Sequence, residues 1–224
     1  MGKIKLITFD MAGTTVHDEG YVHKAFMDAF ESEKLPISYD AANLVMGYKK
    51  PIAIEMMLKS EHKIENPSSE LIHKIHNQFV SNMINFYTHD ESVREINGVT
   101  DLFHKLKEKG IFIGLETGFS RDITDVIIKR LSWESLVDVS TTSDEVENGR
   151  PYPEMILSNM EKLGISDSSE VCKVGDTTVD LKSGNNANCA WNIGVCSGAY
   201  TKEQLATEKH THILNSVVDI LELV

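Results

Sequence analysis

The sequence predicts an α/β fold, a doubly wound parallel sheet with an all-helical segment inserted after its first strand. Two patterns carry this prediction. From Val99 onward, short apolar runs alternate with amphipathic stretches of about ten residues, as in a parallel sheet covered by helices. Between the first apolar run, KIKLITF (3–9), and that region, residues 21–95 show helical patterns only. A chain of 224 residues is long enough for one large domain or for a core with a smaller insertion.

The elements follow in order. KIKLITF reads as a buried strand. YVHKAFMDAFESE places Val22, Ala25, Phe26 and Phe30 on one helical face, and IAIEMMLKS and SELIHKIHNQFVSNMINFY repeat that style. After Asn97-Gly98 come a helix, VTDLFHKLKEKG, with a glycine stop, and a strand, IFIGLET. RDITDVIIKRL is a helix and LVDVSTT a strand. YPEMILSNMEKLG is a helix with Pro153 expected in its first turn. SEVCKVGDT, CAWNIGV and the weaker THILN read as strands, with the helix VDLKSGNNA after the first of them and the helix VVDILELV at the end. The expected core is therefore residues 1–15 plus 96–224, with residues 16–95 inserted.

Composition narrows the function. The formal net charge is −12. Nucleic acids and anionic membranes reward a basic face, so neither is an expected partner, whereas a small anion can still meet a local positive site. The three cysteines, Cys172, Cys189 and Cys196, fit neither a zinc ribbon nor a disulfide framework and read as reduced thiols in a cytoplasmic protein. No apolar run reaches membrane-spanning length, MGKIKL has no signal-peptide core, and Leu6 replaces the hydroxyl residue of a myristoylation signal.

In an open parallel sheet, ligands gather at the carboxyl ends of the strands. Here those ends carry Asp10, then Thr117-Gly118, then Asn148-Gly149-Arg150-Pro151, and then Asp176 with Asp180 four residues on. Taken singly, each has an ordinary role as a turn residue, a helix cap or a solvated charge. Taken together, they suit phosphoryl transfer. Asp10 is the candidate nucleophile. Asp10, Asp176 and the Ala12 carbonyl are the candidate ligands of Mg²⁺. Thr117, Gly118 and Arg150 are candidates to hold the phosphoryl oxygens. Asp180 is an outer-shell group that orients a metal-bound water or Arg150.

The motifs FDMAGTT (9–15), LETGFS (115–120), NGRPYPEM (148–155) and VGDTTVD (174–180) resemble those of the haloacid dehalogenase superfamily. The resemblance implies a Rossmann-like core and makes the helical insertion a cap. Most phosphatases of that superfamily carry an acid two residues after the nucleophile, where this chain has Ala12. General acid catalysis is typically worth about 10²–10⁴ in rate, so its loss calls for a different leaving group or a different device.

Ala12 and GRPYP are similar to the phosphonatase branch, the phosphonoacetaldehyde hydrolases. There a cap lysine forms a Schiff base with the substrate aldehyde and takes up the electrons of the broken carbon–phosphorus bond. MGYKK (46–50) resembles that branch's cap motif and aligns Lys50 with the lysine. Lys50 precedes Pro51 at an expected helix start, where the helix dipole and Lys49 are expected to lower its pKa. The chain departs from the branch in having Met11 for a tryptophan, Ala53 for a cap histidine and Phe119 for a tyrosine. VHDEGYVHKAF, after the first motif, also differs from the branch, and with DMAGTT before it this stretch looks more like a group of phosphonatase-like hydrolases. His17 and His23 are expected at the surface, with entry into the site as the alternative. The pairs His73/His76 and His210/His212 are not expected to bind metal.

The resemblance implies a Mg²⁺-dependent hydrolase of a small phosphonate. The alternatives are a phosphatase for a small ester or anhydride that uses no imine, and a weakly catalytic sensor of a phosphorylated ligand. Phosphonatases form homodimers through their caps. The apolar face of YVHKAFMDAF serves either that contact or the segment's own packing.

Overall fold

The computed structural model describes residues 3–224. The readings that concern Met1 and Gly2 lie outside the described residues. One parallel sheet is built from β1 (Leu6–Phe9), β2 (Phe112–Thr117), β3 (Val139–Thr142), β4 (Val171–Gly175), β5 (Trp191–Val195) and β6 (His212–Leu214), in the order β3-β2-β1-β4-β5-β6. All of β1 is buried, as expected for a central strand covered on both faces. It is shorter than the expected 3–9 because Lys3 and Lys5 are exposed, with Lys5 paired to Glu170 at 2.7 Å. The winding reverses between β1 and β4, which places the crevice beyond Phe9 and Val174, paired across the two strands.

The helices are α1 (Tyr21–Ser32), α2 (Tyr39–Asn43), α3 (Lys50–Ser60), α4 (Ser69–His89), α5 (Val99–Glu108), α6 (Arg121–Arg130), α7 (Glu154–Lys162), α8 (Thr178–Asn186) and α9 (Lys202–Leu205). Pro153 is the N-cap of α7, one position before the expected first turn. The expected terminal helix VVDILELV is a 3₁₀ segment, Val217–Glu222, too short to gain from α-helical propagation.

The inserted segment runs as α1 to α4. Helix α4 packs against α1 and α3, and also against α6. Phe26 meets Phe30 and Phe79 edge-on, at 5.2 and 6.0 Å between ring centroids. Phe79 and Tyr87 in turn lie 6.4 and 6.2 Å from Phe119, two residues beyond β2, so the helical core is continuous with the sheet rim. The chain returns through a bridge between Val16 and Glu95. The apolar face of α1 is consumed by this packing, since Val22, Ala25, Phe26, Ala29 and Phe30 are all buried. It is therefore unavailable to a second copy, and the exposed large apolar residues of the insertion are Tyr39, Leu44, Ile52 and Met56.

Candidate active site

Asp10 immediately follows β1, and its amide donates to Val174 O at 2.9 Å. Asp176 follows β4 in the same way, so adjacent central strands deliver two carboxylates to one rim. One carboxylate oxygen from each of Asp10, Asp176 and Asp180 lies within 4.8 Å of the other two, and all three residues are buried. Arg150, expected in a loop, is 2% exposed. Its Nη2 lies 2.8 Å from Asp10 Oδ1, and its Nη1 donates to Asp180 Oδ1. Its buried Nε has no partner among the described residues, which leaves one charged donor for an incoming anion.

Asp180 combines an ordinary role with a functional one. It is the third residue of α8, and Oδ2 accepts from the Thr177 amide at 3.2 Å and from the Thr177 hydroxyl at 2.5 Å. Oδ1 meets Arg150 and, at 2.9 Å, Lys173. Both Asp180 oxygens are thus engaged by neighbouring protein groups. Asp176 differs. It accepts from Thr14 Oγ1 (3.3 Å) and the Ala199 amide (2.7 Å), and it forms no ion pair among the described residues.

The protonation equilibria reflect this arrangement. Burial raises Asp10 to about 6 against the attraction of Arg150. Burial, with Asp10 and Asp180 close by, raises Asp176 well above the usual range. Burial also disfavours the charge on Asp180, but Arg150 and Lys173 outweigh it and hold the group at about 2. Asp176 is thus the carboxyl of the cluster with no cationic partner among the described residues, and it favours its neutral form. A hard divalent cation fits this cluster of carboxylates, and Ala12, whose carbonyl accepts no hydrogen bond among the described residues, lines the same pocket.

Lys50 is the first residue of α3 and is 3% exposed. Its Nζ lies 5.6 Å from the Phe26 ring centroid and 5.4 Å from that of Phe79. It forms no hydrogen bond or ion pair among the described residues. Its pKa falls to about 8, chiefly through burial and secondarily through Arg150. This corrects the expected cause, because Lys49 turns away and donates to the carbonyls of Val146 (2.9 Å) and Glu147 (3.3 Å). Fully burying a phenylalanine stabilises by about 1.5–3 kcal/mol, so Phe26, Phe30 and Phe79 together outweigh the cost of holding this ammonium.

Asp10, Ala12, Lys50, Thr117, Gly118, Arg150 and Asp176 line one small pocket together with Asp18, His23, Met46 and Phe119. Two glycines let its walls meet. Gly47 has φ +84°, and a Cβ there would lie 2.7 Å from Thr177 Oγ1. A Cβ on Gly118 would lie 2.8 Å from the Tyr48 carbonyl. Ala53 is buried on α3 and presents no polar group.

His17 stays near the surface, 2.8 Å from Glu19. His23, expected at the surface, is 3% exposed and lines the pocket, because position 23 falls on the buried face of α1 beside Val22. The sequence reading also passed over Lys173 and Glu116, a buried pair 2.5 Å apart beneath Asp180. A signal was present, since a charged residue within a strand buried on both faces needs a partner.

The family profile of haloacid dehalogenase-like hydrolases matches residues 7–193. The match spans most of the chain, and the chain is a member of that family. Among curated proteins it is 30% identical over 225 residues to a phosphonoacetaldehyde hydrolase of Bacillus cereus (strain B4264), covering 96% of this chain and 83% of the relative. It is 31% identical over 208 residues to a bifunctional phosphonoacetaldehyde hydrolase/aminoethylphosphonate transaminase of Clostridioides difficile (strain 630), covering 88% of this chain and 32% of the relative. Among solved structures, a phosphonoacetaldehyde hydrolase-like protein from Oleispira antarctica superposes with a TM-score of 0.87 at 21% identity, over 99% of this chain and 91% of that one.

Proposed function

We propose that the protein hydrolyses the carbon–phosphorus bond of a small phosphonate aldehyde, phosphonoacetaldehyde or a close analogue, and releases phosphate. The observation that carries this reading is Lys50, a buried and unpaired amine in the same pocket as Asp10, where Ala12 supplies no acid. Residues 16–95 act as the cap that brings Lys50 to the core.

Lys50 condenses with the aldehyde, and loss of water leaves an imine. Asp10 attacks phosphorus, the phosphorus–carbon bond breaks, and its electron pair passes into the protonated imine to give an enamine. Water then hydrolyses the aspartyl phosphate, and protonation and hydrolysis of the enamine return Lys50 and release an aldehyde. Arg150 and the Thr117–Gly118 turn hold the phosphoryl oxygens while charge shifts. Asp180 fixes Arg150, and Lys173 fixes Asp180. Asp10, Asp176 and the Ala12 carbonyl would hold Mg²⁺, which would supply positive charge to offset that of the phosphoryl group. The thiols of Cys172, Cys189 and Cys196 are unpaired, which suits action in the reducing cytoplasm. A homodimer, if formed through the cap, uses Tyr39, Leu44, Ile52 and Met56.

The test is phosphate release from phosphonoacetaldehyde with Mg²⁺, for the parent and for Lys50→Arg. Release by the parent that vanishes in the variant is expected. No release by either, together with hydrolysis of small phosphate esters, replaces this reading with an imine-free phosphatase.

A further inference from the structure

An amine that condenses with an aldehyde needs a partner for its protons, and the pocket contains one group not yet assigned. We propose that His23 is a catalytic residue of this pocket, its Nδ1 taking the proton from the Lys50 nitrogen and returning it to the departing oxygen. This rests on the imine reading above and deepens it.

The geometry isolates one nitrogen. His23 Nε2 lies 2.9 Å from Asn43 Oδ1. A carbonyl oxygen can only accept, so Nε2 carries the hydrogen and Nδ1 keeps its lone pair. The ring stacks on Tyr39, with centroids 4.4 Å apart and planes 16° apart, which fixes its orientation. Nδ1 is buried and has no partner among the described residues. A buried imidazole nitrogen left unpaired costs free energy, and a substrate-filled pocket is where it would find a partner.

The other titratable groups of the pocket are committed elsewhere. Asp10 is paired to Arg150. Asp18 accepts from the Tyr21 and Val22 amides at the start of α1, at 2.7 and 3.3 Å. Asp176 belongs to the carboxylate cluster. Lys50 is the nucleophile.

The step balances. His23 Nδ1 takes one proton from the Lys50 ammonium, which frees the Nζ lone pair to bond to the carbonyl carbon as the carbon–oxygen π pair moves onto oxygen. A second proton passes from nitrogen to that oxygen to give the carbinolamine hydroxyl. His23 returns its proton to the hydroxyl, which leaves as water while the nitrogen lone pair forms the carbon–nitrogen double bond of a protonated imine. Nothing is oxidised or reduced.

The test mixes the protein and Mg²⁺ with acetaldehyde or phosphonoacetaldehyde, adds borohydride at intervals and follows the adduct at Lys50 by mass. His23→Asn is expected to slow adduct formation from both aldehydes on the order of 10²-fold, the low end of general acid–base catalysis, at a temperature where circular dichroism shows the variant folded. Adduct formation at the parental rate overturns the proposal. A parent that forms the acetaldehyde adduct but releases no phosphate from phosphonoacetaldehyde refutes the substrate, while a slowed His23→Asn still supports His23. A parent that forms no adduct overturns both. Should the variant fail to fold, the imidazole ¹⁵N spectrum of the unmodified protein decides. A hydrogen on Nε2 and a free Nδ1, shifted on aldehyde binding, is expected, and a hydrogen on Nδ1 refutes the assignment.

Discussion

Replacing Lys50 by methionine removes a buried charge and keeps a flexible apolar stem of similar length. Nζ has no anionic partner within salt-bridge distance, and its pKa falls from 10.5 to about 8. In the unfolded chain the lysine keeps its ordinary affinity for protons, so between pH 8 and 10.5 the unfolded state binds more protons than the folded one. Stability therefore rises with pH across that window, and below it the full penalty is present. At about 1.4 kcal/mol per pKa unit the penalty is about 3 kcal/mol at pH 7. It shrinks to about 2 at pH 9 and below about 1 at pH 10. Lys50→Met is therefore expected to be more stable than the parent by up to about 3 kcal/mol at pH 7, with the gap closing toward pH 10. Urea unfolding of both proteins between pH 7 and 10, without metal or substrate, measures it. A variant less stable than the parent at pH 7, or a gap that does not change with pH, refutes the reasoning.

Asp10 gives the complementary case. Its folded pKa is raised to about 6, so the folded state holds the extra proton between about pH 4 and 6 and stability falls as pH rises through that window. Metal-free Asp10→Asn should gain on the parent across that interval in urea unfolding, while its phosphate release drops to background. Mg²⁺ should raise the melting temperature of the parent and have little effect on Asp176→Asn, because Asp176 is the carboxylate without a cation. Arg150→Met leaves Asp10 without an ion-pair partner and removes one from Asp180, and urea unfolding should show a loss of about 3–5 kcal/mol. Ala12→Asp restores an acid beside the nucleophile and should raise hydrolysis of a simple alkyl phosphate by about 10² or more, measured as phosphate release.

The alternation of apolar runs and helical patterns was enough to read the parallel sheet, because strands buried on both faces must be apolar throughout. Strand lengths were not legible, since the charges of Lys3 and Lys5 mark an exposed edge only once the neighbouring strand is known. The carboxylates at the rim were legible for a topological reason: they sit where apolar strands stop. Lys50 was found by resemblance, but its chemistry depends on Phe26 and Phe79, which lie 24 and 29 residues away in sequence. Its depressed pKa was therefore expected for the wrong reason. His23 looked like a surface residue because histidine tolerates water, and only the packing of α1 against α4 and α2 shows which side it faces. Lys173 and Glu116 were hidden inside strands read for their apolar neighbours.

Lys49 and Lys50 are consecutive, yet one grips the Val146 and Glu147 carbonyls at the edge of the loop that carries Arg150, and the other enters the pocket. One backbone link thus ties the loop that carries Arg150 to the residue that the inserted segment sends into the pocket, and the two walls of the site are kept in register by adjacent residues.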